Sequence, residues 1–176
     1  MLEYRPLKAE EICRALFAGF TRRQVVTQCW RREGDAWVIR DAPFLDDWSE
    51  ADYEVLVACL RNTVATGGLV YGAFAGGQLK GFASVEAEWF GGVGEYLDLS
   101  SLHVSAELRH QGVGRALFRA AQAFARERGA KKLYISAHSA VESQAFYRAM
   151  GCTEAQVYNP KHVEAEPYDC QLECPL

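Results

Sequence analysis

Residues able to do chemistry concentrate in one run of the chain. Leu102-His103-Val104-Ser105 is followed by Arg109-His110-Gln111-Gly112-Val113-Gly114-Arg115 and then by an apolar-periodic stretch from Ala116-Leu117-Phe118 to Arg128. Alternating apolar residues give way to a basic, glycine-bearing turn and then to helical spacing, which reads as strand, tight loop, helix. Gly112 and Gly114 carry no Cβ and let the backbone come close to a ligand. The helix that begins there offers unpaired N–H groups and the positive end of its dipole, a ready site for phosphate. Arg109, His110 and Arg115 add charge or donors for the same anion. A pyrophosphate is the natural guest.

The spacing narrows which pyrophosphate. A P-loop needs Gly-x-x-x-x-Gly-Lys-Ser/Thr, and the chain has no such run. A dinucleotide fingerprint needs a third Gly or Ala where Leu117 stands, and an acidic residue closing the next strand, where the chain has Ser136-Ala137-His138. What remains is Arg-x-x-Gly-x-Gly preceded by Leu-x-Val, and this resembles the acyl-CoA binding loop of the GNAT family of N-acetyltransferases. Further on, Ser143-Gln144-Ala145-Phe146-Tyr147-Arg148-Ala149-Met150-Gly151-Cys152 resembles the second signature of the same family, a helix carrying Phe-Tyr and closed by Gly. The resemblance covers Leu69 to Leu176, with the N-terminal part matching only in outline.

The resemblance implies an α/β fold of the α+β mixed-sheet kind, in which two central parallel strands splay apart with helices on both faces and acetyl-CoA (coenzyme A) wedged between them. Pantetheine would bond like an extra strand to Leu102, His103 and Val104. The pyrophosphate would sit on the N–H groups of Arg109, His110, Gln111, Gly112, Val113 and Gly114, with Arg115 beside them. Many relatives have Asn where this chain has Ala140. Ser139 or Ser143 would then supply the polar contact.

Acetyl transfer from a thioester to an amine needs a neutral amine, a stabilised tetrahedral oxyanion and a protonated leaving thiolate. A backbone N–H near Val104 would polarise the thioester carbonyl. Tyr147 is the candidate acid, because an ordinary phenol with a pKa of about 10 keeps its proton near neutrality; it also matches the tyrosine that does this work in many relatives. The candidate bases are Asp98, then Glu86, then His103, with Glu88 and Glu95 as further carboxylates nearby. A carboxylate in a half-buried strand can have a raised pKa and take a proton directly or through water.

The acceptor is less legible. Asp41 to Glu54 mixes six acidic residues with Phe44, Trp48 and Tyr53, which could line a pocket for a cationic amine or form a solvated loop with core anchors. A second acidic region, Glu164 to Pro167, has Lys161 and His162 beside it and shows no clean charge preference. The expected activity is acetyl-CoA-dependent N-acetyltransfer to a primary amine of a small molecule or peptide. The alternative is a non-catalytic acyl-CoA-binding sensor or interaction module, and the presence of Tyr147 favours the enzyme.

These residues must be held by the rest of a chain of 176 residues, 49% of them apolar, with a formal net charge of −4. That length suits one domain over residues 1–176 with one sizeable core, and the mild negative charge gives no footprint for nucleic acid. Six cysteines without a C-x-x-C pair read as buried thiols in a reduced, cytoplasmic protein, and no metal site is expected. No signal-peptide pattern and no apolar run of roughly 18 residues suggests export or a membrane.

In order, the chain reads as a strand at Met1–Arg5, helices over Lys8–Phe20 and about Arg22–Arg32, an extended piece at Trp37–Ile39, and a loop at Asp41–Trp48. A helix then starts at a Ser49–Asp52 capping box and carries the apolar run Tyr53–Val64. Leu69–Phe74 and Leu79–Phe90 form a hairpin about Gly76-Gly77, and Tyr96–Ser105 leads into the glycine loop. Gly129 stops the long helix, Lys132–Ser136 is the parallel neighbour reached by a right-handed crossover, and Val141–Met150 is a helix ended by Gly151. Late strands at Cys152–Tyr158 and Tyr168–Cys174 flank a polar loop with Pro160 and Pro167. They could pair across a homodimer or be covered within one chain.

Overall fold

A computed structural model describes residues 1–176. The strands are β1 (Leu2–Pro6), β2 (Arg23–Glu33), β3 (Ala36–Asp47), β4 (Leu69–Ala75), β5 (Gln78–Val85), β6 (Tyr96–Val104), β7 (Lys132–Ala137), β8 (Thr153–Glu154) and β9 (Cys170–Pro175). The helices are α1 (Glu50–Ala65), α2 (Val113–Glu127), α3 (Val141–Ala149) and α4 (Pro160–Ala165). A seven-stranded mixed sheet runs β1-β4-β5-β6-β7-β9-β8, and β2 and β3 form a separate two-stranded ribbon. No helix is long and apolar enough to cross a membrane.

Period-two alternation gives the sheet two buried faces. Leu97, Leu99, Leu133 and Ile135 turn toward α2, where Val113, Leu117, Phe118, Ala121 and Ala125 meet them. Val70, Phe74, Leu79 and Phe82 turn the other way, onto Tyr53 and Leu60 of α1 and onto Ile12, Phe17 and Phe20. Each such large side chain stabilises the fold by roughly 1.5–3 kcal/mol relative to exposure. The β4–β5 turn is made by Gly76 and Gly77 at φ 57° and 77°, the paired positive angles that a two-residue hairpin turn requires.

Two irregularities shape the centre of the sheet. Between Ser84↔Ser101 and Val85↔Leu99 the β5–β6 ladder skips Ser100, which is left as a bulge. On its other side β6 pairs in parallel with β7 only through Tyr96, Leu97 and Asp98, opposite Lys132, Leu133 and Tyr134. Beyond Asp98 and Tyr134 the two strands separate, as the splayed mixed sheet requires.

Several expectations fail in the first third and near the C-terminus. Lys8–Phe20 is not one helix but two short 3-10 turns, Ala9–Glu11 and Arg14–Phe17. Of the face expected at Ile12, Ala15, Leu16 and Phe20, Ala15 is exposed and Leu16 only half-buried, while Phe17 is buried instead. The expected helix at Arg22–Arg32 is β2, and the piece at Trp37–Ile39 together with the supposed loop is β3. Thr27 faces the pair Ala42 and Pro43 where the register slips, so Val26 and Cys29 are buried three residues apart, imitating helical spacing. Pro43 is tolerated because a bulge needs no N–H there.

β5 stops at Val85, which leaves Glu86 and Glu88 beyond the strand. The strand expected at Cys152–Tyr158 shrinks to Thr153–Glu154, and the Pro160 loop is α4, with Asn159 as N-cap and Pro160 at its first position. β9 lies inside the sheet between β7 and β8, so its edge is covered within the chain. All six cysteines are free thiols, but Cys13 and Cys59 are exposed rather than buried.

Candidate active site

The separation of β6 from β7 opens a cleft of about 820 Å³. One wall is Leu99 to Val104, the other Ile135 to His138, and the floor is the first turn of α2 with Ser143, Phe146, Tyr147 and Met150 of the α3 segment. The β2–β3 ribbon crosses the open end. It is tied to one side where Arg109 donates to the Arg23 carbonyl at 2.7 Å, and to the other where Trp30 N–H donates to the Ser139 carbonyl at 2.8 Å. Arg22, just ahead of the ribbon, and Gln24 and Val25 within it line the cleft.

At the glycine loop, Gly112 adopts φ 83° and His110 φ 61°, so successive N–H groups turn toward one point as in an anion nest. None of the N–H groups from Arg109 to Arg115 finds a protein acceptor. A Cβ at Gly112 would meet nothing within 4 Å, whereas one at Gly114 would sit 3.3 Å from the Phe146 ring. The first glycine is required by its backbone angle and the second by close packing of α2 on α3. These orphaned donors in an open cradle fit a pyrophosphate.

Of the residues expected to hold the cofactor, Leu102, His103, Val104, Arg109, His110, Gly112, Gly114, Arg115, Ser143 and Tyr147 line the cleft. Gln111 is turned back, its side chain donating to the Glu107 carbonyl at 3.0 Å, and Val113 points into the core. Only their N–H groups face the nest. Ser139 departs from expectation: it is buried and its hydroxyl accepts from Arg31 at 2.8 Å, which leaves Ser143 as the serine of the α3 segment on the cleft. The Arg109 guanidinium is also engaged, with the Val104 and Arg23 carbonyls.

Tyr147 is fixed by the way its helix ends. Gly151, at φ 89°, donates its N–H to the Arg148 carbonyl, and Cys152 N–H donates to the Tyr147 carbonyl at 3.0 Å, a Schellman cap. The ring packs edge-on against Phe118 and Phe146. Burial, then the nearby Cys152 and Asp169, raise its pKa well above the ordinary phenol value, so the proton is retained at neutral pH. The phenol lines the cleft and makes no side-chain hydrogen bond within the protein, so it is free to serve a group there.

The expected bases are brought together unevenly. Asp98 is the last paired residue before the strands part, and it is buried. Its Oδ2 lies 2.6 Å from His162 Nε2, while Oδ1 is buried without a partner. Glu86 accepts from Thr63 at 2.7 Å and from Ser100 at 2.6 Å, and Ser100 reaches the cleft. His103 packs against Trp48 and Phe82. Burial, then Arg22 and Arg109, push its pKa down to about 3, which makes it a poor proton acceptor. Glu88 is exposed, and Glu95 pairs with Lys131 at 3.0 Å.

The acidic segment 41–54 does not gather around a pocket. Asp46 binds Arg22, Asp41 accepts from Gln28, Asp52 caps α1 and Glu50 binds Arg14. Its aromatics do reach the cleft walls, Phe44 against His138 at 5.2 Å and Trp48 against His103 at 4.8 Å. Sequence reasoning missed Arg22, His138 and Ser136 as cleft residues and His162 as the partner of Asp98. For α4 a signal existed, because Asn159-Pro160 is an N-cap followed by the proline that favours a first helical turn. For Arg22 none existed, since its segment carried helical spacing.

Known proteins resemble this arrangement at the level of fold. A nourseothricin acetyltransferase superposes with a TM-score of 0.69 at 22% identity, over 99% of this chain and 98% of its own. A protein described as a streptothricin acetyltransferase from Bacillus anthracis, with acetyl coenzyme A bound, gives 0.73 at 15% identity over 98% and 96%. The PaiA N-acetyltransferase of Thermoplasma acidophilum, with coenzyme A bound, gives 0.61 at 16% over 100% and 99%. No curated protein matches by sequence. The profile of the acetyltransferase (GNAT) family matches residues 29–152, which takes in the splayed strands, the glycine loop and the Tyr147 helix. The chain therefore belongs to the acetyltransferase (GNAT) family and is an N-acetyltransferase that uses acetyl-CoA.

Proposed function

We propose that residues 1–176 act as one domain that acetylates a primary amine of a small molecule by direct attack, with Tyr147 as general acid. Acetyl-CoA supplies the acetyl group as a thioester. The free edge of Leu102 to Val104 bonds pantetheine, the N–H groups of Arg109 to Arg115 hold the pyrophosphate, and Ser143 contributes from α3. Tyr147 gives its proton to the leaving sulfur, and its raised pKa keeps it loaded throughout the neutral range. The amine approaches from the Asp98 and Ser100 side of β6, where carboxylates can receive an ammonium ion. Free thiols on all six cysteines suit a reducing, cytoplasmic setting.

The observation that carries this reading is the partner-free Tyr147 phenol in the cleft between the parted strands. Structural neighbours named for acetylating nourseothricin and streptothricin support a small-molecule acceptor over a peptide. Purified protein given acetyl-CoA with L-lysine, spermidine or streptothricin should release free thiol. Tyr147→Phe should lower kcat by about a hundredfold, the scale of general acid catalysis, with the acetyl-CoA Kd unchanged. Tight coenzyme A binding without thiol release over a broad amine panel would instead support the non-catalytic module.

A further inference from the structure

On the face of the sheet opposite α2, a polar strip crosses the central strands between α1 and α4. It contains Glu86, held by Thr63 of α1; Asp98 and Ser100 of β6; Tyr134 and Ser136 of β7; Asp169 ahead of β9; and His162 of α4. Ser100 and Ser136 belong also to the cleft, so the strip opens into the space where the acetyl group must lie. Two of its carboxylates, Asp98 and Asp169, act on the His162 imidazole, while Glu86 is held by Thr63 and Ser100. The buried Oδ1 of Asp98 still lacks a partner, at the point where β6 and β7 part.

From this placement we infer that His162, clamped by Asp98, is the group that takes the proton from the incoming ammonium, and that Asp98 is its positioning residue. This rests on the amine-acetylating reading above. The other candidates are committed elsewhere. Glu86 is held by two hydroxyls, Glu95 by Lys131, and His103 is turned into the Trp48 and Phe82 rings. Asp98 itself is nearly enclosed, whereas the His162 side chain is 30% exposed and its ring stacks on Tyr134 at 5.9 Å. An Nε2 bond to the carboxylate fixes the ring, leaving Nδ1 as the second nitrogen with no protein partner.

The titratable groups facing His162 are Asp98 from β6, Tyr134 from β7 and Asp169 ahead of β9. The hydrogen bond that His162 Nε2–H donates to Asp98 is the main cause that raises the pKa of His162, opposed by burial, with the charges of Asp98 and Asp169 adding to the rise. With Nε2 committed to the carboxylate, Nδ1 is the nitrogen placed to accept a proton. The step balances as follows: His162 takes one proton from R–NH3⁺, nitrogen attacks the thioester carbon, the C–N bond forms and the C–S bond breaks. The second nitrogen proton replaces the one that Tyr147 passes to sulfur, and His162 returns its proton to water.

The test uses the full chain and whichever of L-lysine, spermidine and streptothricin the wild type acetylates best. His162→Gln should lower kcat/KM at pH 7 by about a hundredfold and recover as pH rises past the pKa of the amine itself, with the acetyl-CoA Kd unchanged. Asp98→Asn should move the acid limb of the kcat/KM profile to lower pH, because the carboxylate that raises the pKa of His162 is gone. The proposal is overturned if His162→Gln stays within threefold of wild type across the pH range, or if either variant loses activity evenly with the profile unmoved. No acetyl transfer by the wild type to any of the three amines would remove the functional reading, and this inference with it. A wild type that is active and sensitive to Tyr147→Phe beside an insensitive His162→Gln would remove only the inference.

Discussion

The two sides of the cleft are built from different materials. The side proposed for the cofactor is one continuous segment, Leu102 to Arg115, whose loop N–H groups are unpaired within the protein and whose glycines give them room. The side proposed for the acceptor is assembled from side chains on α1, β6, β7, α4 and the β2–β3 ribbon, residues far apart in sequence. A site made of backbone is robust to most substitutions and readable in a short motif. A site made of converging side chains is sensitive to each member and becomes visible only after folding.

The contrast can be broken at particular residues. The largest effect on stability is expected at Arg22, which is buried against Asp46 with its ring-facing guanidinium 5.3 Å from the centre of Trp48. Arg22→Ala leaves Asp46 without its partner and should lower unfolding free energy by about 3 kcal/mol, read from urea denaturation midpoints. A loss below about 1 kcal/mol would mean the ribbon is not anchored there. On the cofactor side, Gly112→Val forces a β-branched residue into a left-handed angle and should weaken acetyl-CoA binding by about ten- to a hundredfold by calorimetry. An unchanged Kd would show that the nest does not depend on that angle. Smallest is Ser49→Ala, which removes the cap of α1, whose Thr63 holds Glu86; it should cost about 1 kcal/mol in thermal unfolding and leave the acetyl-CoA Kd alone.

The same contrast explains what could be read from sequence. Gly112 and Gly114 announced the loop, and Tyr147 to Gly151 announced a helix ending that proved to be a Schellman cap, because both are local and depend on glycine. The β4–β5 hairpin was legible through Gly76-Gly77, and α1 through Ser49 and Asp52. The ribbon was not, because a register slip beside Pro43 put Val26 and Cys29 at helical spacing. Asp98 was identified as a site candidate, but its partner His162 arrives from α4, sixty-four positions away, and no periodicity links them. Ser139 lies off the cleft, buried and bonded by Arg31, which comes from a strand expected to be a helix.

The parting of β6 from β7 has a further consequence for solubility. Each of these central strands stays paired on one side, to β5 and to β9, and beyond Asp98 and Tyr134 leaves its other edge free. Free strand edges on a protein surface template pairing with other chains and invite aggregation. Here the unsatisfied edge is moved indoors, and the β2–β3 ribbon is fastened across its mouth at Arg23 and at Trp30. The ribbon that sequence patterning missed thus serves as the guard on the most adhesive surface of the fold.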